Sequence, residues 1–161
     1  MSTNPSAYAG GRFLCAPNVY APASPTVLSV SSATFAALSS GVVCTNPFTA
    51  PASGSVLVTV SGLVNQQTAT AAVALALAAV GTVSPLVGNS AQMQMPNITS
   101  YLFTTIPIVV TGLTPGSSYQ WDVLAATSNA ADAAEMVAQS LTATTISAGR
   151  GAPITVTVDG I

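Results

Sequence analysis

Residues 55–61 read Ser-Val-Leu-Val-Thr-Val-Ser, and an extended chain points successive side chains to opposite faces, so Val56, Val58 and Val60 share one face while Ser55, Leu57, Thr59 and Ser61 share the other. This pattern specifies a strand with one core face and one weakly polar face. The same period of two, rich in β-branched residues and interrupted at short intervals by Gly, Pro, Asn and Ser, recurs from Thr26 onward. It predicts strands over 27–30, 34–38, 41–45, 55–61, 70–80, 91–95, 101–111, 118–127, 136–144 and 154–158. Short strands with turn signals every 8 to 12 residues or so imply an all-β protein built as an antiparallel β-sandwich.

Two segments leave a choice open. In 70–80, Val73, Leu75 and Leu77 alternate with Ala72, Ala74, Ala76 and Ala78, so a strand there has a small, apolar outward face suited to close contact with a neighbour. Alanine and leucine also favour helix, which is the competing reading. Residues 129–137 read as a single helical turn within a loop.

Residues 1–25 differ from the rest. Pro5, Pro17, Pro22 and Pro25 together with Gly10 and Gly11 preclude a long helix or a central strand, and the segment reads as an extended arm ahead of a sandwich domain over 26–161. Tyr8, Phe13, Leu14, Val19 and Tyr20 are apolar for a solvated tail, so the arm is expected to lie along a partner or along its own domain. Tyr8, Phe13 and Tyr20 are the candidate partner contacts.

Charge narrows the function classes. Half of the 161 residues are hydrophobic, only 4% are charged, and neither Lys nor His is present. The two basic residues, Arg12 and Arg150, cannot neutralise a nucleic-acid footprint of about six to ten phosphates. Intrinsic disorder requires the opposite balance of charge and hydropathy. The longest apolar run, 71–80, is half the roughly 20 residues of a membrane-spanning helix. The first residues, Met-Ser-Thr-Asn-Pro, lack a basic region and an apolar run, so synthesis in the cytoplasm without a secretory signal is expected. A chain with so little charge has weak protection against self-association, and much of its surface is expected to be covered by other subunits.

The chemistry of the side chains points away from catalysis. Without His or Lys, no Ser-His-Asp, Cys-His or Ser-Lys arrangement can be built. The carboxylates are Asp122, Asp132, Glu135 and Asp159; Asp132 and Glu135 are three apart and are expected in a solvated loop rather than as a glycosidase-like pair. Nor does a D-x-D-x-D-G spacing for calcium occur. Cys15 and Cys44 lack zinc spacing; two free thiols are the expectation and a disulfide tying the arm to the domain the alternative. Asn97-Ile98-Thr99 reads as a polar turn after Pro96, and Trp121 as a core or interface residue. No catalytic, cofactor-binding or metal-binding residue is assigned.

One phrase is more specific. Phe48-Thr49-Ala50-Pro51 followed by Ser53-Gly54 and the alternating strand resembles the signature of C1q-like and tumour-necrosis-factor-like jelly rolls, and is similar to related β-domains in structural proteins of tailed bacteriophages. Phe48 would plug the core at a strand end, while Pro51 and Gly54 would turn the chain. Residues 111–119, Thr-Gly-Leu-Thr-Pro-Gly-Ser-Ser-Tyr, resemble the turn-plus-strand phrase of many β-sandwiches. The resemblance implies a jelly roll that forms homotrimers, with Phe48, Pro51, Gly54 and Trp121 in core or trimer packing. Joined to the charge deficit, it suggests a capsid decoration protein bound to the major capsid protein of a phage head. A tail or fibre protein and a secreted lectin-like module are the alternatives.

Overall fold

A computed structural model describes residues 13–30, 33–66, 72–86, 90–94, 101–127, 134–140 and 152–161. The strands are β1 (Asn18–Tyr20), β2 (Thr26–Val30), β3 (Ala36–Ala37), β4 (Phe48–Thr49), β5 (Val56–Gln66), β6 (Ala72–Ala79), β7 (Ser90–Gln94), β8 (Leu102–Val110), β9 (Ser118–Tyr119), β10 (Trp121–Thr127), β11 (Ala134–Ala138) and β12 (Ile154–Gly160). All pairings between them are antiparallel. No helix occurs among the described residues.

One sheet runs β1-β12-β5-β11-β2, with β8 on the other side of β5; a second runs β3-β10-β6-β7; β4 and β9 form a short pair. The core lies between the two larger sheets. Val56, Val58, Val60, Ile106, Ile108, Met136, Ile154, Val156 and Val158 from the first meet Val73, Leu75, Leu77, Trp121 and Val123 from the second. The protein is therefore an antiparallel β-sandwich, as the alternation in 55–61 requires.

The longest strand, β5, organises the first sheet. One of its edges pairs with β12 through residues 56–61 and then with β11 from Leu63, so Gly62 sits where the partner changes. A Cβ at Gly62 would lie 3.1 Å from both Ile154 Cγ1 and Met136 Cε, so a bare α-carbon lets the ends of β12 and β11 close over it.

The strand expected within 70–80 is present, and several other expectations are corrected. Residues 72–79 form a strand, because their Val and Leu side chains fill the sandwich core, and this outweighs the helix propensity of alanine. Their outward face is not left for a neighbour: Ala76, Ala78 and Leu124 are buried beneath Phe35 and Ala37 of the same chain. Residues 134–138 are a strand between β2 and β5, not part of a helical turn; 129–133 lie outside the described residues. The predicted strands at 34–38 and 41–45 shrink to β3 and a single bridge from Cys44 to Asp122. Between them the chain leaves the edge of β10 in a turn at 39–42, whose base is closed by Leu38 N–H donating to Val123 O at 3.0 Å and Val123 N–H donating to Val43 O at 3.0 Å. The predicted strand at 118–127 divides at Gln120 into β9 and β10.

Part of the arm joins the sandwich. β1 pairs with β12, Phe13 bridges to Asp159, and Leu14 N–H donates to Val158 O at 2.8 Å. Pro17 and Pro22 flank β1 without disrupting it, since an edge strand tolerates missing donors.

Candidate functional site

The chemically distinctive side chains are mostly used to hold the fold. Phe48, Tyr119 and Trp121 form an aromatic cluster: Phe48 meets Trp121 edge-on at 4.9 Å between ring centroids and stacks on Tyr119 at 6.0 Å. Phe48 and Trp121 are buried. Pro51 O accepts the N–H of Gly54 at 3.0 Å, closing the turn between them. Gly54 has a φ of 64°, and its carbonyl accepts Leu113 N–H at 3.0 Å. A Cβ at Gly54 would lie 2.6 Å from Leu113 O, so only glycine fits this turn.

Asp122 is fully buried, on the side of β10 away from the core. Its carboxylate accepts Ser40 Oγ–H at 2.7 Å, Gly41 N–H at 2.8 Å and Gly81 N–H at 3.0 Å. It thus ties the turn at 39–42 to the turn after β6. Glu135 is also buried, contrary to the solvated loop expected for it, and accepts the Tyr101 hydroxyl at 2.8 Å. Asp132 lies outside the described residues. Cys15 and Cys44 are free thiols. Burial, and secondarily the negative charge of Asp159, pushes the Cys15 thiol above its ordinary pKa; burial does the same at Cys44, helped by Asp122 and opposed by a hydrogen bond from Gln120. No cluster of three or more His, Cys, Asp or Glu side chains occurs among the described residues. No helix among them is long and apolar enough to cross a membrane.

What remains open is a surface. On the outer side of the first sheet, the strands β8, β5, β12 and the segment with β1 carry three rows of side chains: Val109, Leu57, Asp159 and Phe13; then Pro107, Thr59 and Thr157; then Thr105, Ser61, Thr155 and Val19. Phe103 extends the β8 margin beyond the third row. Exposure is 60% at Phe13, 55% at Val19 and Phe103, and 51% at Val109. The face therefore has two apolar margins and, beyond Leu57 and Asp159 in its end row, a centre of hydroxyls, with Ser61 and Thr105 hydrogen-bonded to each other at 3.0 Å. Asp159 is the only ionisable side chain in these rows.

Of the residues the sequence singles out for partner contact, the structure places Phe13 on this face and Tyr20 on the opposite side of β1, half-buried against the core. Tyr8 lies outside the described residues. Phe103 and Val109 were not singled out: the alternation in 101–111 shows a strand, but not which of its sides lacks a cover.

No family model matches the chain, and no curated protein matches it. Among solved structures, it is similar to a protein of infectious bursal virus-derived T=1 particles, at 15% identity and a TM-score of 0.20. A mutant VP2 protein of infectious bursal disease virus, also from T=1 particles, gives 16% identity and a TM-score of 0.20. In both cases the whole chain is covered, against 44% of the other chain. At that TM-score neither similarity enters the functional argument.

Proposed function

We propose that this chain is a non-enzymatic structural protein of a virus particle, a capsid decoration protein that forms homotrimers on the outer surface of a tailed-phage head and binds the major capsid protein there. The observation that carries this reading is the exposed outer face of the first sheet, which holds Phe13, Val19, Phe103 and Val109 out to solvent in a chain with only two basic and four acidic side chains. Exposed apolar area of this kind marks a surface meant for another protein. The resemblance of Phe48-Thr49-Ala50-Pro51 and Ser53-Gly54 to the jelly-roll phrase of phage structural proteins supports the choice of particle. Two of the carboxylates, Asp122 and Glu135, are engaged in hydrogen bonds inside the fold, which fits a structural role better than a catalytic one.

The mechanism in this reading is mechanical. Each contact buries apolar surface at about 25 cal/mol per Å2, and many repeated contacts hold the shell against the pressure of packaged nucleic acid. A density map of the native particle tests it. Many copies in register with the head lattice are the expected result. A few copies at the tail, or affinity for a glycan without any particle, overturns it in favour of a fibre protein or a lectin-like module.

A further inference from the structure

We infer that the two apolar margins of the exposed face are the two halves of one contact between copies of this chain, Phe103 and Val109 of one copy meeting Phe13 and Val19 of the next, so that three such faces close around an axis. The inference rests on the trimeric reading above and names its interface.

Three observations select a second copy as the occupant. First, apart from Asp159, the polar groups of the face, Thr59, Ser61, Thr155 and Thr157 on the central strands and Thr105 on β8, carry hydroxyls, which both donate and accept, so this part of the face is complementary to itself. Second, the apolar margins lie on opposite edges of the same sheet, β8 on one side and the β1 segment on the other. A contact between unlike edges is heterologous, and such contacts close into rings when the rotation permits. Third, the width fits. Four neighbouring strand positions at about 4.8 Å, with one further strand spacing left at each corner between copies, make a side of about 19 Å, and three faces of that width leave about 5.5 Å from each face to the axis, about half the 10 Å spacing of packed sheets. Four faces would leave about 9.6 Å and a wet channel.

This arrangement also assigns Asp159 a place. It lies in the end row with Leu57, Val109 and Phe13, so three copies gather three carboxylates at one end of the assembly. Like charges there oppose association, and the trimer is held below its full affinity.

The test is sedimentation equilibrium of the full chain over a wide range of concentration, with circular dichroism to check folding. The wild type is expected at three times the chain mass. Phe13→Ser and Phe103→Ser, both at exposed positions, are expected to raise the concentration of half-dissociation at least tenfold. Asp159→Asn is expected to lower it several-fold. Val83→Ser, at an exposed site away from the face, is expected to leave it unchanged. A wild-type trimer that neither phenylalanine variant weakens overturns this interface and leaves the trimeric reading standing. A wild type that is monomeric throughout, or closes with another number of copies, overturns this interface, and monomers in the map of the native particle as well overturn the trimeric reading with it.

Discussion

Asp122 Oδ1 accepts the backbone N–H of Gly41 at 2.8 Å across 81 residues of sequence. Gly41 has a φ of 71° and Gly81, whose N–H reaches the same carboxylate, a φ of 80°. Two left-handed glycine turns on opposite edges of β10 are therefore held by one buried side chain. Removing that acceptor breaks three hydrogen bonds to a charged group, each contributing about 1.5 to 3 kcal/mol, and leaves donors on the exposed Ser40, Gly41 and Gly81 to water. Asp122→Ala is expected to lower stability by about 3 to 5 kcal/mol in urea unfolding, partial relaxation of the turns offsetting some of the total. A loss of under about 1 kcal/mol would show that water replaces the carboxylate without penalty.

Gly54 and Gly112 separate steric need from conformational preference. Both have positive φ, but a Cβ at Gly54 meets Leu113 O at 2.6 Å while Gly112 has open space around it. Gly112→Ala is expected to cost about 1 kcal/mol, the penalty of a left-handed alanine. At Gly54 the same change must also displace backbone, and a loss of at least twice that size is expected. Equal losses in thermal unfolding would show that the Pro51–Gly54 turn yields freely.

The thiols give a pH dependence. In the folded chain Cys15 and Cys44 are raised above the ordinary thiol pKa. The neutral thiol is the form the fold favours. Its contribution to stability is thus complete below the unfolded pKa of about 8.5 and is lost as pH rises through the raised folded values. Labelling of the native protein by a maleimide at pH 7 is expected to be slower than labelling of the urea-unfolded chain, and to accelerate as pH rises. Asp159→Asn is expected to speed labelling of Cys15, since a nearby negative charge is then gone. Native labelling as fast as unfolded labelling at pH 7 would contradict the burial of Cys44 and the partial burial of Cys15.

The strands were legible because they bury alternate side chains, and a period of two survives in sequence whatever the topology. What sequence could not carry was pairing. Phe13 and Val19 line up with Asp159 and Thr155, nearly the whole chain away, and no local pattern encodes that register. The same holds for Asp122: it stands between Trp121 and Val123 as a lone acid in an apolar strand, and its partners Ser40, Gly41 and Gly81 come from two distant turns. Alanines at 76 and 78 looked like a contact face because nothing nearby marks Phe35 as their cover. Phe48 and Trp121, by contrast, lie in the core, where a large aromatic beside a strand start has few stable alternatives.

The last prediction concerns where the chain can be cut. The alternation that begins at Thr26 suggests that 1–20 can be removed without harm to the sandwich, but Asn18–Tyr20 pair with β12 and Leu14 and Tyr20 pack against the core. Deleting 1–20 removes an edge strand, leaves the side of β12 away from β5 without β1, and uncovers apolar surface that Leu14 and Tyr20 had shielded. Lower stability and a tendency to aggregate are expected, as for any long unprotected edge. Deleting 1–12 leaves all of those contacts in place. That shorter variant is expected to keep the wild-type melting temperature while losing Tyr8, so the two truncations separate a role in folding from a role in binding. If removal of 1–12 abolishes occupancy on undecorated particles without lowering the melting temperature, Tyr8 and its neighbours contact the partner. Equal melting temperatures for both truncations would mean that β1 contributes nothing to the sandwich, against the pairing seen here.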